Sequence, residues 1–245
     1  MPPRKILIFQ KEDEWSRYLL EAFEDTFSTP SVLSAPGEIL TRTRKEKPDV
    51  IFTRANLLTP PLIAALGVCR VSSPCFRVFG LGNGIKGKQV FSFDGTFQEI
   101  PPSLFDFHRR LVEHLPLPDP LDILIVDDEP QIGAMFLEYF DRRTHPSFRL
   151  RMAANGVEAE KEIRKSFPHV MVLDIKMPQQ DGRELYRNLK EKNILPPTLV
   201  FFDAVSVDEV VEIRRLGNRA FVEKGSQASS MPEMAALIKK IAFFG

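Results

Sequence analysis

The chain has 245 residues, 43% of them hydrophobic and 27% charged, with 33 basic residues against 33 acidic ones. That length and composition suit a soluble protein of one large or two ordinary domains. The even charge balance argues against a nucleic-acid footprint, and no like-charge block marks an interaction tail.

The first element is an apolar run of four residues, Ile6–Phe9, which reads as a buried strand and is too short for a signal peptide. Nothing further along is long enough to span a bilayer, so the expected compartment is the cytoplasm. Apolar runs recur at Val50–Phe52, behind Lys47-Pro48-Asp49, and at Phe76–Phe79, behind Pro74-Cys75. Cys69 and Cys75 make neither a disulfide framework nor a metal knuckle and read as reduced thiols. The stretch Leu81–Lys88 holds three glycines and two lysines, but without the P-loop or dinucleotide spacing it reads as a loop rather than a phosphate cradle. A last short run, Phe91–Phe93, precedes Asp94, and Phe105–Leu115 is helical, with His108 and His114 among arginines. Leu115–Pro120 then carries three prolines in six residues, which neither a helix interior nor a central strand tolerates. This is the expected linker between domains at 1–116 and 120–245.

Beyond the linker, strands alternate with helices: Ile123–Val126, helix Gln131–Asp141; Arg149–Ala153, helix Gly156–Ser166; Val170–Leu173, helix Gly182–Lys192; Leu199–Phe202, helix Asp208–Leu216; Ala220–Val222, helix Met231–Phe243. Strands that are apolar throughout are covered on both faces, and strand–helix alternation gives a doubly wound parallel sheet. The two halves also match each other in order. Ile6 corresponds to Ile123, Pro48 to Pro168 and Pro74 to Pro197, so the offset drifts from 117 to 120 to 123, as in a duplicated fold with small loop differences.

In such a sheet the ligand site lies beyond the carboxyl ends of the strands. Asp127, Asp128 and Glu129 follow the first strand of the second half, Asp174 follows the third, and Lys224 follows the fifth. Clustered carboxylates repel unless a cation sits among them, and a hard divalent ion with oxygen ligands is the natural partner.

The strings Ile125-Val126-Asp127-Asp128-Glu129-Pro130, Leu173-Asp174-Ile175-Lys176-Met177-Pro178-Gln179-Gln180-Asp181-Gly182 and Phe221-Val222-Glu223-Lys224 resemble the receiver (CheY-like) family of two-component response regulators, across the whole second half. The resemblance implies an α/β fold with a flavodoxin-like, doubly wound five-stranded parallel sheet, and the internal match implies two such domains in tandem. It implies that Asp127 and Asp128 hold Mg²⁺ together with Asp174 and the backbone carbonyl of Lys176. Asp174 is then the phosphoacceptor and Lys224 contacts the phosphoryl oxygens. The expected donor is a histidine kinase or phosphotransfer protein, and the chain modifies itself rather than acting as an enzyme on a diffusible substrate. Gly182 is expected to supply a positive φ before its helix.

The second half departs from the family at its read-out. Family spacing puts a Ser or Thr hydroxyl at the end of the fourth strand, where this sequence has Phe202, with Asp203 at the next position, which is normally small. The switch set is therefore Phe202, Asp203 and the aromatic Phe221. Gly225 replaces the usual proline after the lysine. The first half keeps the strand pattern and loses the chemistry: Gln10-Lys11, followed by Glu12 and Asp13, stand for the acidic pair, Arg54 for the nucleophile, and Asp94 where the lysine is expected. It resembles a degenerate pseudo-receiver, in which Arg54 either mimics an occupied site or has no role beyond a domain kept for packing or dimerisation. The function expected is a phosphoryl-accepting response regulator without a visible output domain, acting through protein contacts on an unidentified target, with homodimerisation left open. The alternative is a scaffold or adaptor with receiver folds that is never phosphorylated. A metal-dependent hydrolase is disfavoured because Lys176 stands where a second general acid is needed.

Overall fold

The computed structural model describes residues 4–9, 13–26, 28–83, 93–140, 145–203 and 207–245. Gln10, Lys11, Glu12, Gly84–Lys88, Phe91 and Ser92 lie outside them. The chain divides into two compact units, Met1–Pro116 with Phe243–Gly245, and Leu117–Ala242.

Unit 1 runs β1 (Ile6–Phe9), α1 (Glu14–Ala22), β2 (Ser31–Leu33), α2 (Pro36–Glu46), β3 (Val50–Arg54), α3 (Pro60–Ser72), β4 (Arg77–Leu81), β5 (Gly95–Phe97), α4 (Leu104–Val112). Unit 2 runs β6 (Leu121–Val126), α5 (Pro130–Phe140), β7 (Phe148–Ala153), α6 (Gly156–Lys165), β8 (Val170–Leu173), α7 (Gly182–Glu191), β9 (Thr198–Phe202), α8 (Val207–Arg215), β10 (Ala220–Glu223), α9 (Met231–Phe244). The sheet orders are β2-β1-β3-β4-β5 and β10-β9-β8-β6-β7, each parallel throughout. Read by position within each unit, both are 2-1-3-4-5, the flavodoxin-like doubly wound order.

The unalternating strands are explained by burial. Every residue of β1, β6 and β8 is buried, because helices cover both faces of the sheet. In unit 2 one face packs Ile123, Ile125, Phe136, Phe201 and Ile238, and the other packs Leu124, Val126, Leu173, Leu185 and Ile213. Short polar residues start the helices: Asn155 Oδ1 accepts from Glu158 N at 2.9 Å, and Asp181 Oδ1 accepts from Glu184 N at 2.8 Å.

Strand register confirms the equivalence of the halves. Ile6 pairs with Val50 and Phe9 with Thr53, as Ile123 pairs with Val170 and Val126 with Leu173. The next residues, Arg54 and Asp174, are therefore structural counterparts.

Two expectations fail in unit 1. Its fifth strand is Gly95–Phe97, not a run ending at Phe93. Asp94 thus precedes that strand, at the sheet edge opposite the one where a site lysine would stand. There its carboxylate accepts from Val78 N at 2.7 Å and from Arg70 Nη2 at 2.9 Å. The run Phe91–Phe93 misled because a strand of three residues leaves almost no periodicity to read. Nor is Arg54 an unopposed charge: its Nη2 lies 2.7 Å from Asp13 Oδ2, on the residue that also caps α1. His108 Nε2 donates to the Ala22 carbonyl, 3.0 Å away, tying α4 to α1. His169, half-buried just before β8, accepts at Nδ1 from Asp122 N at 2.9 Å.

Candidate functional site

In unit 2 the acidic residues stand where parallel strands end. β6 stops at Val126, so Asp127 and Asp128 leave the sheet edge, and Asp174 leaves it at the end of the neighbouring β8. Carboxylate oxygens of Asp127, Asp128 and Asp174 come within 4.8 Å of one another, and among the described residues this is the group of acids with metal-ligand spacing. Asp127 and Asp174 are buried, whereas Asp128 is exposed.

Lys224 enters from the end of β10, which pairs with β9 so that Glu223 lies opposite Phe202 and Lys224 N donates to the Phe202 carbonyl at 2.7 Å. Its Nζ is 2.9 Å from Asp127 Oδ2, 3.3 Å from Asp174 Oδ2 and 3.5 Å from Glu129 Oε1. One ammonium thus bridges three carboxylates, and the side chain is only 12% exposed. Burial pushes Asp174 up to about 6, helped by the charge of Asp127 and opposed by Lys224. Burial also raises Asp127, against the Glu129 amide donating to its Oδ1 at 2.9 Å and against Lys224. Burial alone would lower Lys224, but the carboxylates of Asp127 and Asp174 outweigh it and hold the ammonium above its ordinary value. Acids pushed up by burial and partly offset by a single lysine fit a further cation: the donors are hard oxygens, and Asp128 is open to solvent.

The β8–α7 loop carries the remaining expected residues. Lys176 N approaches Asp174 Oδ1 at 3.4 Å, while the Lys176 ammonium turns away to within 3.9 Å of Glu209. Ile175 and Met177 are buried and anchor the loop. Gly182 has a different reason from the one expected. It is the first residue of α7 and is not among the glycines with positive φ. A Cβ there would lie 2.0 Å from the Asp174 carbonyl oxygen and 2.9 Å from Ile175 Cα, both backbone atoms with little freedom to yield. Gly182→Ala is expected to cost about 2–3 kcal/mol by overpacking. A urea midpoint equal to that of the wild type, at unchanged slope, would show that the loop yields instead.

Of the switch residues, Phe202 and Phe221 are half-buried against the same cluster, the one containing Leu185 of α7 and Ile213 of α8. The Arg214 guanidinium sits 5.1 Å over the Phe221 ring, and Asp203 is exposed. One neighbour escaped the sequence reading of the site: Phe201, packed in the opposite face, has the Lys224 ammonium 5.7 Å from its ring. Glu129, grouped with the acids past the first strand, reaches that same ammonium. Gly225 has φ 79°, in the left-handed region, which a proline ring with φ near −65° cannot adopt. The lysine loop is therefore built for glycine.

Comparison with known proteins follows this geometry. Residues 123–236 match the family described as response regulator receiver domain. The chain is 32% identical over 97 residues to sporulation initiation phosphotransferase F of Bacillus subtilis, covering 39% of this chain and 74% of that protein. It is 36% identical over 83 residues to the transcriptional regulatory protein TrcR of Mycobacterium tuberculosis, covering 33% of this chain and 30% of that one. A match to protein-glutamate methylesterase/protein-glutamine glutaminase 2 of Saccharophagus degradans is 30% identical over 114 residues, 46% of this chain and 32% of the relative. The chain thus spans about a third of the length of the last two. Among solved structures, the signal receiver domain of a histidine kinase from Syntrophus aciditrophicus is similar at a TM-score of 0.42 and 24% identity, over 49% of this chain and 89% of that one.

Proposed function

The chain belongs to the response regulator receiver family through residues 123–236, and from that premise we propose that unit 2 is a phosphoacceptor receiver of a two-component system, with Asp174 taking the phosphoryl group. The observation that carries the proposal is the set of Asp127, Asp128 and Asp174 within 4.8 Å, with Lys224 Nζ 3.3 Å from the Asp174 carboxylate. The donor is a phosphohistidine on a histidine kinase or phosphotransfer protein, and the name of the Bacillus subtilis relative, a phosphotransferase, supports phosphoryl exchange.

The chemistry needed is modest. An Asp174 oxygen forms the new bond to phosphorus as the bond from phosphorus to the donor imidazole breaks, and the imidazole leaves neutral after taking a proton from solvent. Asp127, Asp128, Asp174 and the Lys176 carbonyl would hold Mg²⁺, which would supply charge neutralisation to the entering phosphoryl oxygens. Lys224, whose Nζ stands 3.3 Å from the Asp174 carboxylate, offers its ammonium to the same oxygens. Ile175 and Met177, buried below the loop, fix the direction of Asp174. The exposed Asp128 and the half-buried Lys224 leave the approach to Asp174 on the solvent side.

The read-out differs from the family pattern. With Phe202 where a hydroxyl is expected, no side chain there hydrogen-bonds a phosphoryl oxygen, and Asp203 adds a negative charge nearby. Output therefore travels by protein contact through a conformational response other than the hydroxyl–aromatic exchange. The same two residues favour the second reading, an adaptor that is not phosphorylated in the cell. Unit 1 is a pseudo-receiver whose Arg54–Asp13 pair fills the position of the nucleophile with neutralised charge.

Incubation with acetyl phosphate and Mg²⁺, read by intact mass, distinguishes the two. The receiver reading expects a gain of one phosphoryl group that disappears on chelation of the metal. No gain under any Mg²⁺ concentration, with the protein folded by circular dichroism, would assign the chain to the adaptor class.

A further inference from the structure

Helix α3 of unit 1, Pro-Pro-Leu-Ile-Ala-Ala-Leu-Gly-Val-Cys-Arg-Val-Ser, is apolar around almost its whole circumference. Its inner positions Leu62, Ala65, Leu66 and Cys69 are buried in the unit's core. The opposite stripe, Ile63, Ala64, Gly67, Val68 and Val71, is exposed, with Val68 66% and Val71 89% accessible. Helical spacing puts these five residues in one continuous band. A surface helix ordinarily carries charge on that face, and its single charged residue, Arg70, is held by Asp94. A contiguous apolar stripe of this kind marks an interaction site.

Beside the stripe lies a groove of about 260 Å³ between α3 and α2, with Val68 and Cys69 on one wall and Thr43 on the other. Thr43 is fully buried, yet its Oγ1 has no hydrogen-bond partner among the described residues. Along the α2 rim stand Arg44 and Lys47, both exposed. The acidic residues of α2 do not cancel them: Glu38 is in the first turn at the far end, and Glu46 is engaged by Arg42.

We infer that this α2–α3 face is a docking surface for an acidic amphipathic helix of a partner protein. The aliphatic residues of that helix enter the groove beside Val68, and its Asp or Glu side chains meet Arg44 and Lys47. A groove between two helices with an apolar floor and one charged rim takes a third helix of opposite charge. A second copy of this chain is disfavoured as occupant, because a twofold contact would set the same two cations against themselves. The inference is independent of phosphorylation at Asp174.

Two synthetic helix-stabilised peptides of about 18 residues test it. Both carry the same leucine stripe; one is flanked by Glu and the other by Lys. Each is titrated into the ¹⁵N-labelled full chain. The expected result is amide shifts confined to α2 and α3, with the acidic peptide binding at least about tenfold more tightly than the basic one and losing affinity with salt. Val68→Asp, at a position two-thirds exposed and so compatible with folding, should abolish the shifts. The double variant Arg44→Glu, Lys47→Glu should reverse the preference. Equal affinity for the two peptides, shifts elsewhere, or no shift at millimolar peptide overturns the proposal. A homodimer in light scattering that Val68→Asp dissociates also overturns it and assigns the face to a second copy.

Discussion

Asp174→Asn is expected to abolish phosphoryl acceptance entirely and, at the same time, to make the protein more stable at neutral pH. The loss follows because an amide oxygen cannot form the acyl phosphate. The gain follows from the site's electrostatics. The folded-state pKa of Asp174 stands at about 6, above its ordinary value of 3.8, chiefly through burial. The folded protein therefore binds this proton more tightly than the unfolded chain, and stability falls as pH rises from about 4 to about 6. The full penalty is present above pH 6 and absent below pH 4. A shift of about two units corresponds to roughly 3 kcal/mol as an upper value, which rearrangement around Lys224 and water at the exposed Asp128 reduce to about 1–2 kcal/mol. Asn carries no such proton, so the difference between variant and wild type should be near zero at pH 4 and largest at pH 7. Urea unfolding of both proteins across this range measures it. Saturating Mg²⁺ should close the gap by stabilising only the wild type. A gain that is the same at pH 4 and pH 7 would mean that the stabilisation comes from something other than the lost charge.

Lys224→Ala should act in the opposite direction. Its ammonium serves Asp127, Asp174 and Glu129, and the side chains of Asp127 and Asp174 are 2% and 6% exposed. Removing one partner of a buried ion pair leaves buried carboxylates without their compensating charge, at a typical cost of about 3–5 kcal/mol. Here the carboxylates have a way out, since they can take protons. Losing Lys224 raises both their pKa values further, so the deficit should be greatest at pH 7 and shrink toward pH 4 as Asp127 and Asp174 become neutral. Mg²⁺ should restore part of the loss at pH 7. Phosphorylation by acetyl phosphate should slow by about 10²–10³-fold, the usual effect of deleting one preorganised charge from a developing anion. Lys224→Arg should recover stability better than rate, because a guanidinium keeps the charge but not the compact ammonium geometry. A Lys224→Ala protein as stable at pH 7 as the wild type, and as quickly phosphorylated, would remove Lys224 from the site.

The sequence by itself determined the architecture of unit 2 and the place of its site. Strands covered on both faces cannot alternate, so β6, β8 and β9 stood out as apolar runs, and each was bounded by residues that end a strand. Once the sheet is parallel, every residue just past a strand's carboxyl end falls on one edge, which is why Asp127, Asp128, Asp174 and Lys224 could be placed together without coordinates. The duplication was legible for the same reason, and the register of β1 with β3 against β6 with β8 bears it out.

What only the tertiary structure decided were matters of reach and contact. That Gly182 is needed because the Asp174 carbonyl passes 2.0 Å from where a Cβ would sit is invisible in a one-dimensional pattern, which offers only the more familiar reading of a positive φ. Glu129 and Phe201 join the site through side chains that extend toward Lys224 from flanking positions, and sequence spacing fixes backbone positions, not where a long side chain ends. The fifth strand of unit 1 is three residues long, so partner strands rather than its own pattern select Gly95–Phe97. Arg54 was legible only as the residue in the nucleophile's place; the fold brought Asp13, 41 residues earlier, to within 2.7 Å of it. An ion pair between the end of one strand and the cap of a helix exists only after the sheet has formed, and no local pattern carries that distance.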